Sequence, residues 1–533
     1  MPPASRLAAV APTLLAVLFF GGSLYATRNF IAIPPDTAHQ LTIARSLVRG
    51  EGYQVPVIWL HTGLMDSVTQ IPDGHGILWP FVQAALFAVL SEDSTSVRVH
   101  GLIYLTLIGV GTFVFARRLF GVGAGLVAMI LVFTNVNLFL FSVMAVDDIS
   151  FCFFFLCTAI LLHSGLDRNE PRTFWLAGLA ACGAMLAKGI GFFMPLVFLS
   201  TLLLWRSQGA RVVGLRLSAL SLPFAFGAGA YFLRNYISHG GLGFRFTPME
   251  WMYKAGGLEG TFGLFDPAPT MGDVYRVMGL GGMFLEGLKQ LALFLESTVR
   301  LTPLLPRGEA LHSALNQIWL PAVLPLAGLI FTLILWRRQR AYSVLTLLTT
   351  VGLVIFVSFL YHFELRYFAP LVPLAAISIS SAWRLPDWNL GLGQRVAVAV
   401  QLAVTVAAVG LSVLQFAVFR SDVLSIELDS RVCPDSYDWI RRSTAPTDRV
   451  LALNPWHVAW FSERESVVLP SGGMGAIEVA ARHYDIHWVL AERDAKRPKT
   501  SRLLRRFGSE PSGMTVEPAY QGQVCRVFRI DWN

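Results

Sequence analysis

Apolar residues run along this chain in long unbroken blocks, each closed by a short polar or basic segment. At a rise of about 1.5 Å per residue, a block of roughly 20 apolar residues matches the hydrocarbon thickness of a bilayer. Eleven blocks are predicted membrane spans: about 8–26, 97–116, 121–141, 149–165, 173–187, 190–206, 213–232, 317–336, 343–361, 366–383 and 396–419. The first begins after Arg6 and runs into Tyr25-Ala-Thr-Arg-Asn-Phe without a small-residue cleavage site, so it reads as a retained anchor.

One apolar block, 75–90, is short and broken by Pro80. Counting it as a span inverts every later loop and places Arg117-Arg118, Arg168 with Arg172, Arg206 with Arg211 and Arg216, and Arg337-Arg338-Arg340 outside. Cytoplasmic loops carry the Lys/Arg excess, so 75–90 is read instead as a helix lying along the membrane surface. The basic loops then face the cytoplasm, with the N-terminus. Residues 28–96, 233–316 and 420–533 lie on the opposite side, as do the short loops holding Asp147-Asp148, Lys188 and 362–367.

Composition agrees with this class. Of 533 residues, 54% are apolar and 14% charged, against roughly 25% charged in soluble domains; mean hydropathy is +0.56. The net charge of +8 is spread over short loops rather than gathered in a stripe with aromatics. Nucleic-acid binding needs a clustered basic face and is set aside.

Residues 1–419 therefore read as a polytopic α-helical membrane domain and 420–533, where charge density rises, as a soluble α/β domain. Its predicted elements are a helix 435–443, strands 449–454 and 466–469, a helix 476–483, a strand 487–491 and a last strand 523–530. Cys152, Cys157 and Cys182 fall in predicted spans and read as core residues. Cys433 and Cys525 are the two in the tail, where an oxidising exterior permits but does not require a disulfide.

The acidic residues carry the candidate chemistry. An ionised carboxylate in hydrocarbon is so costly that Asp147 and Asp148, between two spans, belong at a wet surface or a cavity. Asp36, on the same side, follows Pro34-Pro35 at the start of a predicted helix 36–49. Each has a simpler reading as a helix N-cap, and Lys188 and Arg234 have one as snorkelling interface anchors, with Arg366 paired to Glu364. His39, His61, His75 and His362 lack metal-type spacing, so no metal site is predicted.

The order of motifs resembles the GT-C glycosyltransferases, in the branch of protein O-mannosyltransferases and the lipid A aminoarabinose transferase. The pieces are Pro34-Pro-Asp-Thr-Ala-His-Gln-Leu through Gly50-Glu-Gly-Tyr53, Ala116-Arg-Arg-Leu-Phe-Gly121, the acidic pair, Leu186-Ala-Lys-Gly189, Leu233-Arg-Asn-Tyr236 and Arg366-Tyr-Phe-Ala-Pro-Leu-Val-Pro373. Tyr437-Asp-Trp-Ile440 and Tyr484-Asp-Ile-His-Trp-Val-Leu490 resemble the family's variable soluble domain.

That resemblance implies about 11 membrane helices with two surface helices in the first external segment. It also implies sugar transfer from a polyprenyl-phosphate donor to an acceptor hydroxyl by an inverting displacement, in a cell membrane that is bacterial in most of the family. Asp36 is then the candidate base, Asp147 and Asp148 orient donor or acceptor, and Lys188, Arg234 and Arg366, with Tyr367, hold the phosphate. The acceptor is a lipid, glycan or protein; no cofactor is implied, and a divalent cation is left open.

Two departures matter. Asp36 is followed by Thr37-Ala38-His39 where the family often has an acidic pair, which disfavours a metal between paired carboxylates. At Pro72-Asp-Gly-His-Gly-Ile-Leu-Trp-Pro80 the family pattern also changes, so Asp73 and His75 are expected at the acceptor and its identity stays open. Two further readings are a transporter, against which the lack of internal duplication weighs, and a non-catalytic glycan-assembly scaffold.

Overall fold

A computed structural model describes residues 3–29, 33–59, 65–72, 76–168, 170–198, 209–239, 248, 251, 270–336 except 301–319, 339–360, 365–387, 394–425, 433–470, 474–492, 514–522 and 525–532. Helices dominate the first 425 residues: α1 Pro3–Ala26, α2 Pro35–Val48, α3 Leu78–Val89, α4 Ser94–Phe120, α5 Val122–Phe133, α6 Val136–Val143, α7 Asp147–Arg168 and α8 Pro171–Ala187. Helices Ala210–His239, Met271–Arg300, Leu320–Leu335, Arg340–Leu360, Leu371–Ser380 and Gln394–Ser425 follow.

Among the described residues, four helices are long and apolar enough to cross a membrane: α4, α7, Ala210–Ser238 and Arg340–Phe359. The pair α5 and α6 makes a fifth if counted as one span. The sequence predicts a continuous span over 121–141, but the two helices meet at 57°. The cause is Asn135, whose Oδ1 accepts from Leu138 N at 3.0 Å and starts a new helix there. The predicted span 366–383 is likewise broken, into a 3-10 turn Leu365–Phe368, helix Leu371–Ser380 with Pro370 at its N-cap, and a second 3-10 turn Ser381–Asp387. The other predicted spans coincide with shorter or only partly described apolar helices.

Outward faces carry the apolar surface expected of a bilayer protein. Leu215, Leu222 and Phe226 in helix Ala210–His239 are 66%, 64% and 82% exposed, an arrangement water would penalise and lipid would not. Helix α3 has 12 residues and spans about 18 Å, too short for a ~30 Å hydrocarbon core. Helix α7, with 22 residues, is about 33 Å long. It separates Asp147 and Asp148 in its first turn from Arg168 in its last. At the basic end Arg118 of α4 pairs with Asp167 at 3.0 Å.

The described residues beyond 433 build a sheet with strands β2 Arg449–Ala452, β3 Glu465–Val468, β4 Trp488–Glu492, β5 Met514–Gln521 and β6 Cys525–Trp532. A strand from outside the tail joins them. β1, Val57–Ile58 of the first external segment, pairs in parallel with β3, giving the order β1-β3-β2-β4-β6-β5. β2, β3 and β4 run parallel, while β6 is antiparallel to both β4 and β5.

Alternate residues of β2 enter opposite cores. Leu451 packs with Ile477, Ala480 and Val489, whereas Val450 and Ala452 pack with Tyr437, Ile440 and Val527. Burial on both faces is what parallel strands covered by helices require. Cys433, preceding helix Pro434–Ser443, is disulfide-bonded to Cys525 of β6, with Cα atoms 5.9 Å apart.

Candidate active site

Helix α2 is enclosed almost all round, with Thr37 to Ala44 and Ser46 buried. Its N-cap is Pro34, which makes no side-chain cap, and Asp36 lies inside the first turn. The N-cap reading of Asp36 is therefore wrong, because the helix starts one residue earlier on Pro35. The Asp36 carboxylate instead accepts from Arg366 Nη1 at 2.6 Å.

The acidic pair is reached through a strained turn. Helix α6 ends at Val143, and Ala145 adopts φ 46° while Val146 N donates to Phe141 O at 3.0 Å. A left-handed alanine costs roughly 1–2 kcal/mol. Such strain clusters at functional sites because packing must over-determine it. Here Ala145 is fully buried among Ile33, Ala38, Leu41 and Trp79, and Thr37 Oγ1 donates to Met144 O at 3.0 Å.

The turn delivers Asp147 and Asp148 to α7's first turn, 4% and 0% exposed. Lys188, in the break between α8 and the 3-10 turn Gly189–Phe193, enters between them. Its Nζ donates to Asp147 Oδ1 at 2.6 Å and Asp148 Oδ2 at 2.7 Å. Asp147 Oδ2 accepts from Gln40 Nε2 at 3.0 Å, tying the pair to α2. Arg366 Nε is 4.0 Å from Asp148 Oδ2, so one guanidinium bridges Asp36 and Asp148. Tyr367, 1% exposed, lies under both cations, 5.1 Å from Lys188 Nζ and 5.5 Å from Arg366 Cζ.

Three carboxylates thus share two cations. The cluster carries one net negative charge when all five groups are ionised. Asp148 Oδ1 has no hydrogen-bond partner among the described residues. Among those residues no three His, Cys, Asp or Glu side chains gather in a metal-type group.

Arg234 stands apart from this network. Its Nη2 donates to Pro72 O at 3.1 Å, and its Cζ lies 4.8 Å from the Tyr231 ring and 5.5 Å from the Tyr53 ring. Burial pushes the Tyr53 phenol up to about 12 against the pull of Arg234, so it stays neutral at physiological pH. Asp73 and His75 lie outside the described residues, as does Glu364. Sequence reasoning missed Gln40, Thr37 and Tyr53. The first two carry a signal in hindsight: Gln40 and Thr37 are polar residues four positions and one position after Asp36, on a helix with hardly any exposed face.

Residues 74–228 match the family described as dolichyl-phosphate-mannose-protein mannosyltransferase. Among curated proteins none matches. Among solved structures, ArnT from Cupriavidus metallidurans bound to undecaprenyl phosphate is similar at 11% identity and TM-score 0.58, over 98% of this chain and 97% of that one. The archaeal oligosaccharyltransferase AglB from Archaeoglobus fulgidus, in complex with an inhibitory peptide and a dolichol-phosphate, is similar at 13% identity and TM-score 0.53, over 98% of this chain and 74% of that one. A segment of the chain thus matches a mannosyltransferase family, and over nearly its whole length the chain shares the fold of ArnT and AglB.

Proposed function

We propose that the protein moves a sugar from a polyprenyl-phosphate donor to an acceptor hydroxyl on the extracytoplasmic side of the membrane. The observation that carries this reading is the convergence of Asp36, Asp148 and Arg366 from three distant parts of the chain. The two similar structures support the choice of donor, since one is bound to undecaprenyl phosphate and the other is in complex with a dolichol-phosphate.

In this reading Asp36 accepts the proton of the acceptor hydroxyl as that oxygen bonds to the anomeric carbon. The bond from that carbon to the phosphate oxygen breaks, and its electron pair leaves with the polyprenyl phosphate. One displacement inverts the centre and leaves no covalent enzyme intermediate. Arg366 pairs with Asp36 and aims its carboxylate, and its remaining N–H groups meet the departing phosphate. Lys188 is occupied by two carboxylates, so its task is to hold the acidic pair rigid. Arg234, outside that network, is the second phosphate contact.

The acid end of α7 then faces the exterior and its basic end the cytoplasm, as the basic-loop distribution requires. Purified protein in vesicles, given an undecaprenyl-phosphate-linked hexose and a cell-envelope extract, is expected to release free undecaprenyl phosphate. Solute flux across the vesicles with no turnover of the lipid-linked sugar would establish a transporter instead.

A further inference from the structure

The C-terminal unit grips both ends of the helix that carries Asp36. At the N-terminal end the His457 ring, 2% exposed, bonds through Nε2 to the carbonyl of Ile33 at 2.8 Å. Because a carbonyl only accepts, Nε2 carries the proton. Ile33 is three residues before Asp36, so this bond fixes the chain as it enters α2 through Pro34 and Pro35. At the C-terminal end Arg45 Nη1 donates to Trp460 O at 2.9 Å, and its guanidinium lies 3.8 Å from the Trp460 ring centroid. The Trp460 ring shares one apolar cluster with Ile33, Ala38, Leu41, Ala44 and Ala145. It therefore touches the packing that holds both acidic segments.

The gripping segment is itself held tightly. It is a short helix Pro455–His457 followed by a π-helical turn Val458–Ser462, closed by Glu463 at φ 55°. Isolated π turns recur at functional sites, and a left-handed glutamate needs support. Arg464, 6% exposed, supplies it by donating to the carbonyls of Ser462, Glu463, Arg441 and Thr444. Glu463 then pairs with Arg49 at 3.2 Å, just past α2. A mere connection between strands requires none of this.

We propose that residues 455–463 are a positioning element for Asp36, with His457 and Trp460 as its positioning residues. The C-terminal unit thereby sets the geometry of the acidic centre without touching substrate. This inference rests on Asp36 as the base, so its test has one readout that does not depend on chemistry. Hydrogen exchange over 33–48 is measured in the full-length protein, with exchange over 449–452 as an internal reference.

His457→Leu keeps bulk and removes the donor; His457→Gln keeps a donor. The expected result is a roughly tenfold loss of protection over 33–48 in His457→Leu with 449–452 unchanged, and recovery in His457→Gln. With an undecaprenyl-phosphate-linked hexose as probe, kcat should fall about 100-fold with the donor KM nearly constant, as for a base displaced by ~1 Å. Arg45→Met gives the same comparison at the other end of α2 should His457→Leu not fold. Unchanged exchange over 33–48 in both folded variants would overturn the positioning role. Changed exchange with Asp36→Asn still active would instead sink the base assignment, leaving the mechanical grip established but its catalytic purpose refuted.

Discussion

Arg366 Nη1 lies 2.6 Å from Asp36 Oδ2, across 330 positions of sequence, and the same guanidinium reaches Asp148 at 4.0 Å. A planar fork between two carboxylates fixes both their distance and their orientation. Arg366→Met is expected to lower turnover about 100- to 1000-fold, the usual loss when one charge-stabilising donor is removed. Steady-state release of polyprenyl phosphate checks this, and turnover within twofold of wild type would show that the bridge is dispensable.

Lys188 is a buried cation between two buried carboxylates. Removing one partner of such a network typically costs 3–5 kcal/mol, because uncompensated charge is left behind. Lys188→Met should therefore lower the unfolding midpoint in detergent by far more than Lys188→Met combined with Asp147→Asn and Asp148→Asn. Equal destabilisation of the two variants would argue against the ion-pair account.

The link between the C-terminal unit and α2 is acid-sensitive. Burial raises the Glu463 carboxyl, but the guanidinium groups of Arg45, Arg49 and Arg441 outweigh it and hold the group below its ordinary value. A depressed carboxyl stabilises the docked state above the ordinary value of about 4.3, and that contribution is lost as pH falls through the depressed value. Wild type should thus lose protection over 33–48 below about pH 4, and Glu463→Gln should show the weaker docking already at neutral pH. A pH-independent difference between the two would contradict this.

The Cys433–Cys525 bond closes a loop of 92 positions. Constraint of the unfolded chain over such a loop contributes about 4–5 kcal/mol. Cys433→Ser with Cys525→Ser should lower the unfolding midpoint of the C-terminal unit, and reductant should do the same to wild type. Insensitivity to both would remove the bond from the stability account.

The apolar blocks were legible because a bilayer demands long uniform runs, and so was the shortness of the helix within 75–90, which has 12 residues. Breaks within those runs were less so. Asn135 caps a new helix inside a stretch whose hydropathy barely changes. In the tail, β5 escaped notice because Pro518 and an irregularity between Pro518 and Tyr520 interrupt its alternation, as edge strands tolerate. β1 is two residues long and exists only through its pairing with β3, some 400 positions away. The candidate site residues Asp36, Asp147, Asp148, Lys188 and Arg366 were each named from sequence; their pairing was not. Nothing local in the chain says that Lys188 faces the acidic pair while Arg366 faces Asp36, and helix packing decides it.

Release of free undecaprenyl phosphate by Asp36→Asn, measured beside wild type with the same lipid-linked hexose and acceptor extract, tests the central claim most directly. Asparagine keeps the size and loses the proton acceptor, so the rate should fall at least about 100-fold, the minimum for loss of a general base. A rate within twofold of wild type in a folded protein would mean that Asp36 does not take the acceptor's proton.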